Sequence, residues 1–219
     1  MGEGLPEGQE HVQRTLAEAL HQAVLVPVIT LDRVEDAVPL ASAMRSGGAR
    51  ALEFTLRTPQ GLPGLSEVRR AFPDLWLAAG TVRTIDDYHA AIRAGADFVV
   101  SPGTTPKLLD YGVLGEIPLL PGVSTISELM VGFEKGYRLF KFFPAALSGG
   151  PQAIRAMAGP FPDVRLVPTG GIQAEDAAEY FAEPNVIALG GTWLSPASLI
   201  EHGDWAAIEK LVAQSMERL

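Results

Sequence analysis

One lysine of the sequence lies where a charged side chain is unusual. Lys141 is part of an aromatic run, residues 138–144, that ends in a proline. Such a run is typical of a buried strand, in which an ammonium group loses hydration and the neutral amine is favoured. A neutral lysine amine can attack a carbonyl carbon and form an imine. Lys141 is therefore a candidate Schiff-base nucleophile; the alternative is a structural lysine that reaches solvent or pairs with a carboxylate.

A carboxylate, Glu53, stands inside a second short apolar run, residues 50–56. Alternation along a strand places Glu53, Thr55 and Arg57 on one face and the apolar side chains of the run on the other. A carboxylate on the polar face, near the end of a strand, could shuttle protons. The alternative is an ion pair between Glu53 and Arg57 that only supports the fold.

Two glycine pairs, Gly170-Gly171 and Gly190-Gly191, stand at the ends of two further apolar runs. Glycine lets the backbone approach an anion closely, and a helix-like segment at residues 174–181 would add N–H groups near a helix N-terminus. The Thr192 hydroxyl follows the second pair. These features predict a phosphate site, and tight turns without a ligand are the alternative.

Other kinds of site find little support in the sequence. The chain has no cysteine, which excludes disulfides, thiolate nucleophiles and cysteine-ligated metals. Its four histidines are scattered at positions 11, 21, 89 and 202, and none is at a predicted strand end. We therefore expect no metal site, and no Gly-x-Ser-x-Gly nucleophile motif is present.

The candidate residues belong to eight short apolar runs that begin about 20–27 residues apart and alternate with amphipathic segments. The runs are residues 24–29, 50–56, 76–82, 98–102, 118–123, 138–144, 165–169 and 186–190. Eight such units without a long linker predict a single (β/α)8 barrel domain over residues 1–219, with its active site at the carboxyl ends of the strands. An open doubly wound sheet is the alternative, but its Gly-x-Gly-x-x-Gly turn is missing after the first run.

Several segments between the runs have a helical pattern. Residues 32–46, 84–94 and 204–218 are predicted helices, and an extra N-terminal helix at residues 10–23 precedes the first strand. Thr84 and Asp87 form a capping pattern at the start of the second of these helices. Ser124 or Thr125 is expected to cap a helix that runs to residue 133.

Composition narrows the partners and the location. The net charge of −9 argues against nucleic-acid binding, which requires a basic face. No stretch reaches the ~18 apolar residues of a membrane span. Residues 1–10 are polar and acidic and lack the features of a signal peptide, so we expect a cytoplasmic protein.

Eight motifs, in order along the chain, resemble the 2-keto-3-deoxy-6-phosphogluconate (KDPG) and 4-hydroxy-2-oxoglutarate aldolase family. They are residues 26–29 (VPVI), 52–58 (LEFTLRT), 79–82 (AGTV), 101–103 (SPG), 121–125 (PGVST), 141–145 (KFFPA), 168–172 (PTGGI) and 190–194 (GGTWL). The resemblance covers most of the chain. It implies a class I aldolase that cleaves KDPG to pyruvate and D-glyceraldehyde 3-phosphate.

The resemblance also implies roles for individual residues. Lys141 would form the imine with the C2 carbonyl of the substrate, and Glu53 would be the general acid and base. Arg57 and Thr81 would hold the substrate carboxylate. Pro102 and Phe143 would pack against the pyruvate portion. The phosphate would be held by Gly170, Gly171, Gly191 and Thr192.

By the same resemblance the enzyme would need no metal or other cofactor and would form a homotrimer. The chain departs from the family pattern at Thr192, where serine is common, and at residues 59–64, where two glycines and two prolines lie beside Arg57. Within the family, cleavage of 4-hydroxy-2-oxoglutarate to pyruvate and glyoxylate is the alternative reaction. A phosphate-binding isomerase or epimerase, and a barrel that binds without catalysis, are further alternatives that have no need of Lys141.

Overall fold

A computed structural model describes residues 7–219, and it describes the side chains from residue 10 onward. Strands and helices alternate through this part of the chain. The strands are β1 (Leu25–Ile29), β2 (Ala51–Thr55), β3 (Trp76–Gly80), β4 (Phe98–Val100), β5 (Leu119–Leu120), β6 (Gly122–Val123), β7 (Leu139–Phe142), β8 (Arg165–Pro168) and β9 (Leu189–Gly191). The helices are α1 (Glu7–Ala23), α2 (Ala37–Ser46), α3 (Gly61–Ala71), α4 (Ile85–Ala94), α5 (Pro106–Leu114), α6 (Ile126–Glu134), α7 (Gly150–Ala158), α8 (Ala177–Phe181), α9 (Ala197–Glu201) and α10 (Trp205–Glu217).

The strands pair in parallel and form a curled sheet. Six strands follow the order β5-β4-β3-β2-β1-β9, and three follow the order β6-β7-β8. Isolated parallel bridges join Leu166 to Val186 and Thr169 to Gly190, so β8 lies beside the segment that leads into β9. The chain is thus an α/β protein with the parallel strand pairing that the sequence predicts.

Each of the eight predicted runs contains a strand, but the fifth run is divided. Pro121 separates β5 from β6. Proline has no N–H to donate to a neighbouring strand, so regular pairing stops there. The Pro121 carbonyl still accepts the N–H of Lys141 at 2.9 Å. The last run also differs, because β9 begins at Leu189 instead of residue 186.

The predicted starts of α4, α6 and α10 are confirmed to within one residue, whereas α1 begins at Glu7 instead of residue 10. Thr84 and Asp87 form a capping box at α4, and Thr125 rather than Ser124 is the N-cap residue of α6. The segment predicted as one helix over residues 32–46 begins with a 3₁₀ turn, Val34–Asp36, before α2. The prediction for residues 174–181 is wrong at its start, since α8 has only five residues and begins at Ala177.

Apolar side chains form two layers on opposite faces of the strands. The outer layer fills the space between the strands and the helices that follow them. The inner layer lies on the concave face, where Leu16 and Leu20 of α1 pack against alternate strand residues such as Val26 and Val167. Both leucines are 1% exposed. Burial of a leucine side chain contributes about 1.5–3 kcal/mol, so α1 is part of the core.

No helix within residues 7–219 combines the length and the apolar character that crossing a bilayer requires. The prediction about residues 1–10 falls largely outside this range, because residues 1–6 are not among the described residues.

Candidate active site

The two residues with the clearest chemical signal contact each other. The Lys141 Nζ lies 2.9 Å from Oε1 and 3.1 Å from Oε2 of Glu53. Their side chains are 6% and 5% exposed. They reach one another across the concave face, since Lys141 belongs to β7 and Glu53 to β2, and these strands are not neighbours.

This contact shows which groups the two candidate residues pair with. The alternative of an ion pair between Glu53 and Arg57 is wrong, because Arg57 is exposed and has no ion-pair partner among residues 10–219. Lys141 does pair with a carboxylate, but the partner is the other candidate catalytic residue. An amine in hydrogen-bond contact with a carboxylate can pass its proton to it and become nucleophilic.

A glycine on β3 makes room for the carboxylate. A methyl group at Gly80 would collide with Glu53. Thr81 follows directly and has φ of +62°, in the left-handed region. A β-branched residue rarely adopts this conformation, which costs on the order of 1–3 kcal/mol, and such residues cluster at functional sites. Thr81 is thus held at the end of β3, next in sequence to the glycine that faces Glu53.

Two apolar candidates lie close to β7 or to its strand neighbour β6. The ring centroid of Phe143 is 5.4 Å from the Lys141 Nζ. Pro102 is close to Gly122, the strand neighbour of Lys141, because a methyl group at Gly122 would lie 2.6 Å from the Pro102 carbonyl carbon. Phe143 therefore lies beside the amine, and Pro102 lies against the strand that neighbours β7.

The first glycine pair forms a turn beside Phe143. Gly170 and Gly171 have φ of +96° and +78°, a conformation that favours glycine. A methyl group at Gly170 would lie 3.0 Å from the Phe143 ring. The Ala146 N–H donates to the Gly170 carbonyl at 3.1 Å and holds the turn against the chain that follows β7. Since the short α8 begins only at Ala177, the N–H groups available here belong to the turn and not to a helix.

The second glycine pair lies next to the first. Thr169 and Gly190 form a parallel bridge, and a methyl group at Gly190 would collide with the Thr169 side chain. Gly191 packs against the Trp193 ring, and Thr192 is exposed. The structure therefore brings both pairs to one part of the strand ends.

The sequence prediction did not assign a role to Thr169. It is 2% exposed, and its Oγ1 lies 3.4 Å from the Val167 carbonyl oxygen. The alternation of side chains along a strand could have identified it. Thr169 is two residues beyond Val167, which faces the inner layer, so its side chain is expected on the same face. A hydroxyl at this position adds a polar group between the glycine pairs.

The segment beside Arg57 is short and ordered. Helix α3 begins at Gly61, and Pro63 lies in its first turn, where proline is tolerated. The Thr58 hydroxyl donates to the Leu31 carbonyl at 2.5 Å and ties the turn to the end of β1. Arg57 is the second residue beyond β2, and among residues 10–219 its side chain forms no hydrogen bond or ion pair with the other candidate residues.

A capping carboxylate holds the helix that follows β6. Burial alone would raise the pKa of the Glu128 carboxyl, but donated hydrogen bonds from Ser124 and Thr125 outweigh it and lower this pKa. Glu128 accepts the Ser124 N–H at 2.8 Å and the Thr125 N–H at 2.9 Å. The carboxylate thereby fixes the start of α6.

Histidine and carboxylate side chains do not converge elsewhere. Within residues 10–219 there is no group of three histidine, aspartate or glutamate side chains that could hold a metal ion. His89 is in contact with the Tyr111 hydroxyl at 2.5 Å, and the His202 Nδ1 is 2.7 Å from the Ser198 carbonyl oxygen.

Comparison with known proteins relates the chain to aldolases. The family model described as KDPG and KHG aldolase matches residues 16–211. A Pseudomonas aeruginosa protein named 2-dehydro-3-deoxy-phosphogluconate aldolase is 48% identical over 197 residues, which cover 90% of this chain and 90% of that protein.

Two solved structures resemble the fold closely. The KDPG aldolase of Legionella pneumophila, with pyruvate captured as a covalent carbinolamine intermediate, has a TM-score of 0.89 and 43% identity, and the match covers 91% of this chain and 97% of that one. The KDPG aldolase of Zymomonas mobilis with 3-phosphoglycerate has a TM-score of 0.87 and 36% identity, and the match covers 93% and 95% of the two chains. The chain belongs to the KDPG and KHG aldolase family.

Proposed function

We propose that the chain is a class I aldolase that cleaves KDPG to pyruvate and D-glyceraldehyde 3-phosphate. The observation that carries this proposal is the buried contact between Lys141 and Glu53 at strand ends, in a member of this family. The covalent pyruvate adduct in the Legionella relative supports an imine mechanism. The pair supplies the amine and the base that such a mechanism needs.

In the proposed reaction, Lys141 attacks the C2 carbonyl, and loss of water from the carbinolamine gives an imine. Glu53, acting through water, removes the proton of the C4 hydroxyl. The C3–C4 bond breaks, its electron pair moves toward the protonated imine, and the aldehyde leaves. The resulting enamine is protonated at C3, and water then hydrolyses the imine to release pyruvate. Because the imine is the electron sink, the proposal includes no metal or other cofactor.

The carboxylate and the pyruvate carbons would lie on the side of β2 to β4. We assign Arg57 and Thr81 to the carboxylate, since the Arg57 guanidinium is exposed with no ion-pair partner among residues 10–219 and Thr81 is held in a left-handed conformation. Pro102 and Phe143 would pack against the methylene and carbonyl carbons, and the Phe143 ring is already 5.4 Å from the amine.

The phosphate would lie on the opposite side, at the two glycine pairs. Gly170 and Gly171 turn their backbone there, and Gly191, which packs against Trp193, precedes the exposed Thr192, which offers a hydroxyl. The buried Thr169 hydroxyl lies between them. The Zymomonas relative carries 3-phosphoglycerate, which supports a phosphorylated three-carbon product.

At the level of architecture we propose one closed eight-stranded barrel over residues 1–219, as one domain. Support comes from the two bridges between β8 and the segment entering β9, and from β5 and β6 as halves of one strand interrupted at Pro121. We also propose a homotrimer in the cytoplasm that acts on a small phosphorylated 2-keto acid, with no nucleic-acid or membrane partner.

A second reaction, cleavage of 4-hydroxy-2-oxoglutarate (KHG) to pyruvate and glyoxylate, is favoured by the family description, which names both substrates. This substrate uses the same amine and base but leaves the glycine pairs empty. The isomerase alternative and the non-catalytic alternative do not account for the buried Lys141–Glu53 contact.

The test is a borohydride trap with pyruvate. We expect one adduct on each chain, mapped by peptide mass to Lys141, because reduction fixes an imine as a stable amine. Lys107→Arg is the matched control and should still be labelled. Absence of an adduct, or an adduct at Lys107, Lys135 or Lys210, would overturn the imine mechanism.

A further inference from the structure

The loops that follow the strands, together with the first turns of the helices after them, form what we call the carboxyl edge. Lysine and arginine are unevenly distributed around this edge. The loops after β6, β7, β8 and β9, residues 124–125, 143–149, 169–176 and 192–196, contain no lysine or arginine. This includes both glycine pairs. After β1, Arg33 pairs with Asp36 at 2.7 Å and is thereby neutralised.

The loops after three consecutive strands differ. Arg57 follows β2, Arg83 follows β3, and Lys107 lies in the first turn of α5, after β4. All three are exposed, and within the described side chains none of them forms an ion pair. Arg83 and Lys107 line one small cavity of about 130 Å³, so the two residues are close to each other. We call Arg57, Arg83 and Lys107 the cationic rim.

Nearby carboxylates do not cancel this charge by pairing. Asp86 and Asp87 lie in the first turn of α4, and the Asp87 Oδ2 accepts the backbone N–H groups of Arg83 and Thr84 at 2.9 and 3.1 Å. On the other side of the edge, Asp32 and Asp176 add negative charge to the loops after β1 and β8, whereas Glu175 pairs with Arg218 at 3.7 Å. The carboxyl edge is therefore electrically asymmetric.

We propose that the cationic rim steers the carboxylate end of the anionic substrate toward the side of β2 to β4. The substrate is thereby oriented before it binds. The inference rests on the proposed function. A protein of net charge −9 repels a substrate with a carboxylate and a phosphate, and a local positive region lowers that barrier where the substrate must enter. The phosphate end then faces the glycine pairs, which hold it by neutral donors.

The test is a double charge reversal, Arg83→Glu with Lys107→Glu, two exposed positions outside the groups that hold the substrate. At about 10 mM ionic strength we expect kcat/KM for KDPG to fall about fivefold, with kcat unchanged. At about 0.2 M the loss should shrink to below about twofold, because exposed charges are screened. For proton exchange at C3 of pyruvate, a monoanion, the loss at low salt should be below about twofold.

The matched control is Arg50→Glu with Lys210→Glu, which changes the net charge equally. Arg50 precedes β2 at its amino end, and Lys210 lies on α10; both are exposed. We expect this control to change kcat/KM much less. An equal loss in the control would overturn the inference, as would a loss that is independent of salt or of substrate charge. If the unaltered chain does not cleave KDPG at all, the proposed function itself fails, which is seen before any variant is compared.

Discussion

The buried Lys141–Glu53 pair contributes little net free energy to folding, because its charges must be desolvated. Removing both charges from water costs several kcal/mol for each ion, and a well-packed apolar pair at the same place is often as stable or more stable. A buried pair at strand ends therefore indicates chemistry more strongly than stability. Gly80 agrees with this interpretation, because any side chain at this position of β3 would collide with the Glu53 carboxylate.

Glu53→Gln should separate imine formation from proton transfer. The amide keeps the shape and a hydrogen-bond acceptor for Lys141, so borohydride trapping with pyruvate should persist, at a lower rate. Turnover should fall by about 10²–10⁴, the usual contribution of a positioned acid or base. Exchange of the C3 protons of pyruvate with deuterated water should fall in parallel, since enamine formation needs the same base.

The measurement is the exchange rate per folded molecule, with the folded fraction taken from thermal unfolding of the same sample. If Glu53 only supports the fold, Gln should lower the melting temperature while the folded fraction retains the exchange rate of the unaltered protein. That outcome would remove Glu53 from the mechanism.

Thr192→Ala should distinguish the two candidate substrates. A charge-assisted hydrogen bond to phosphate is worth roughly 1.5–3 kcal/mol, so KM for KDPG should rise about 10- to 140-fold. KM for 4-hydroxy-2-oxoglutarate, which has no phosphate, should change little and serves as the internal control. Steady-state kinetics with both substrates give the answer, and equal increases would place the phosphate elsewhere.

Residue type and strand position identified Lys141 and Glu53 as candidate site residues, and the structure places the two in contact. Their contact could not be predicted, because the two residues are 88 positions apart and strands β2 and β7 are not neighbours. Alternation instead suggested Arg57 as the partner of Glu53. That prediction was wrong because β2 ends at Thr55, so Arg57 lies beyond the strand, where alternation no longer applies.

At the scale of elements, α1 closes the amino-terminal side of the concave face. Leu20→Ala should lower the free energy of unfolding by about 2–5 kcal/mol, because it removes a buried side chain and leaves a cavity. Leu114→Ala is the matched control: Leu114 is 78% exposed, compared with 1% for Leu20, and the change should stay within about 0.5 kcal/mol. Urea unfolding of both variants measures this, and similar values would show that α1 is not part of the core.

Periodicity predicted where strands and most helices lie, because alternating and helical patterns reflect which face is buried. It could not show that Pro121 divides the fifth strand while its carbonyl still pairs with Lys141. Nor did it predict that the turn after Gly171 continues to Asp176, where the Asp176 Oδ2 accepts the Gln173 N–H at 3.0 Å. This local hydrogen bond favours a turn over a helix and delays α8.

For the whole molecule we expect a homotrimer, on the basis of family resemblance. Sedimentation equilibrium should give about three times the 23.3 kDa of one chain, unchanged over a range of protein concentrations. Size-exclusion chromatography with light scattering provides an independent check. A stable monomer that retains full aldolase activity would contradict the prediction.

The left-handed backbone at Thr81 means that thermal stability and catalysis favour different residues at this position. Glycine or asparagine adopts this conformation at lower cost, so a library selected only for resistance to heat would accumulate them at position 81. Selection for turnover would retain threonine, if its hydroxyl holds the substrate carboxylate as proposed. Engineering position 81 for heat resistance alone would therefore lower the turnover, and engineering it for turnover alone would retain a residue that lowers the thermal stability.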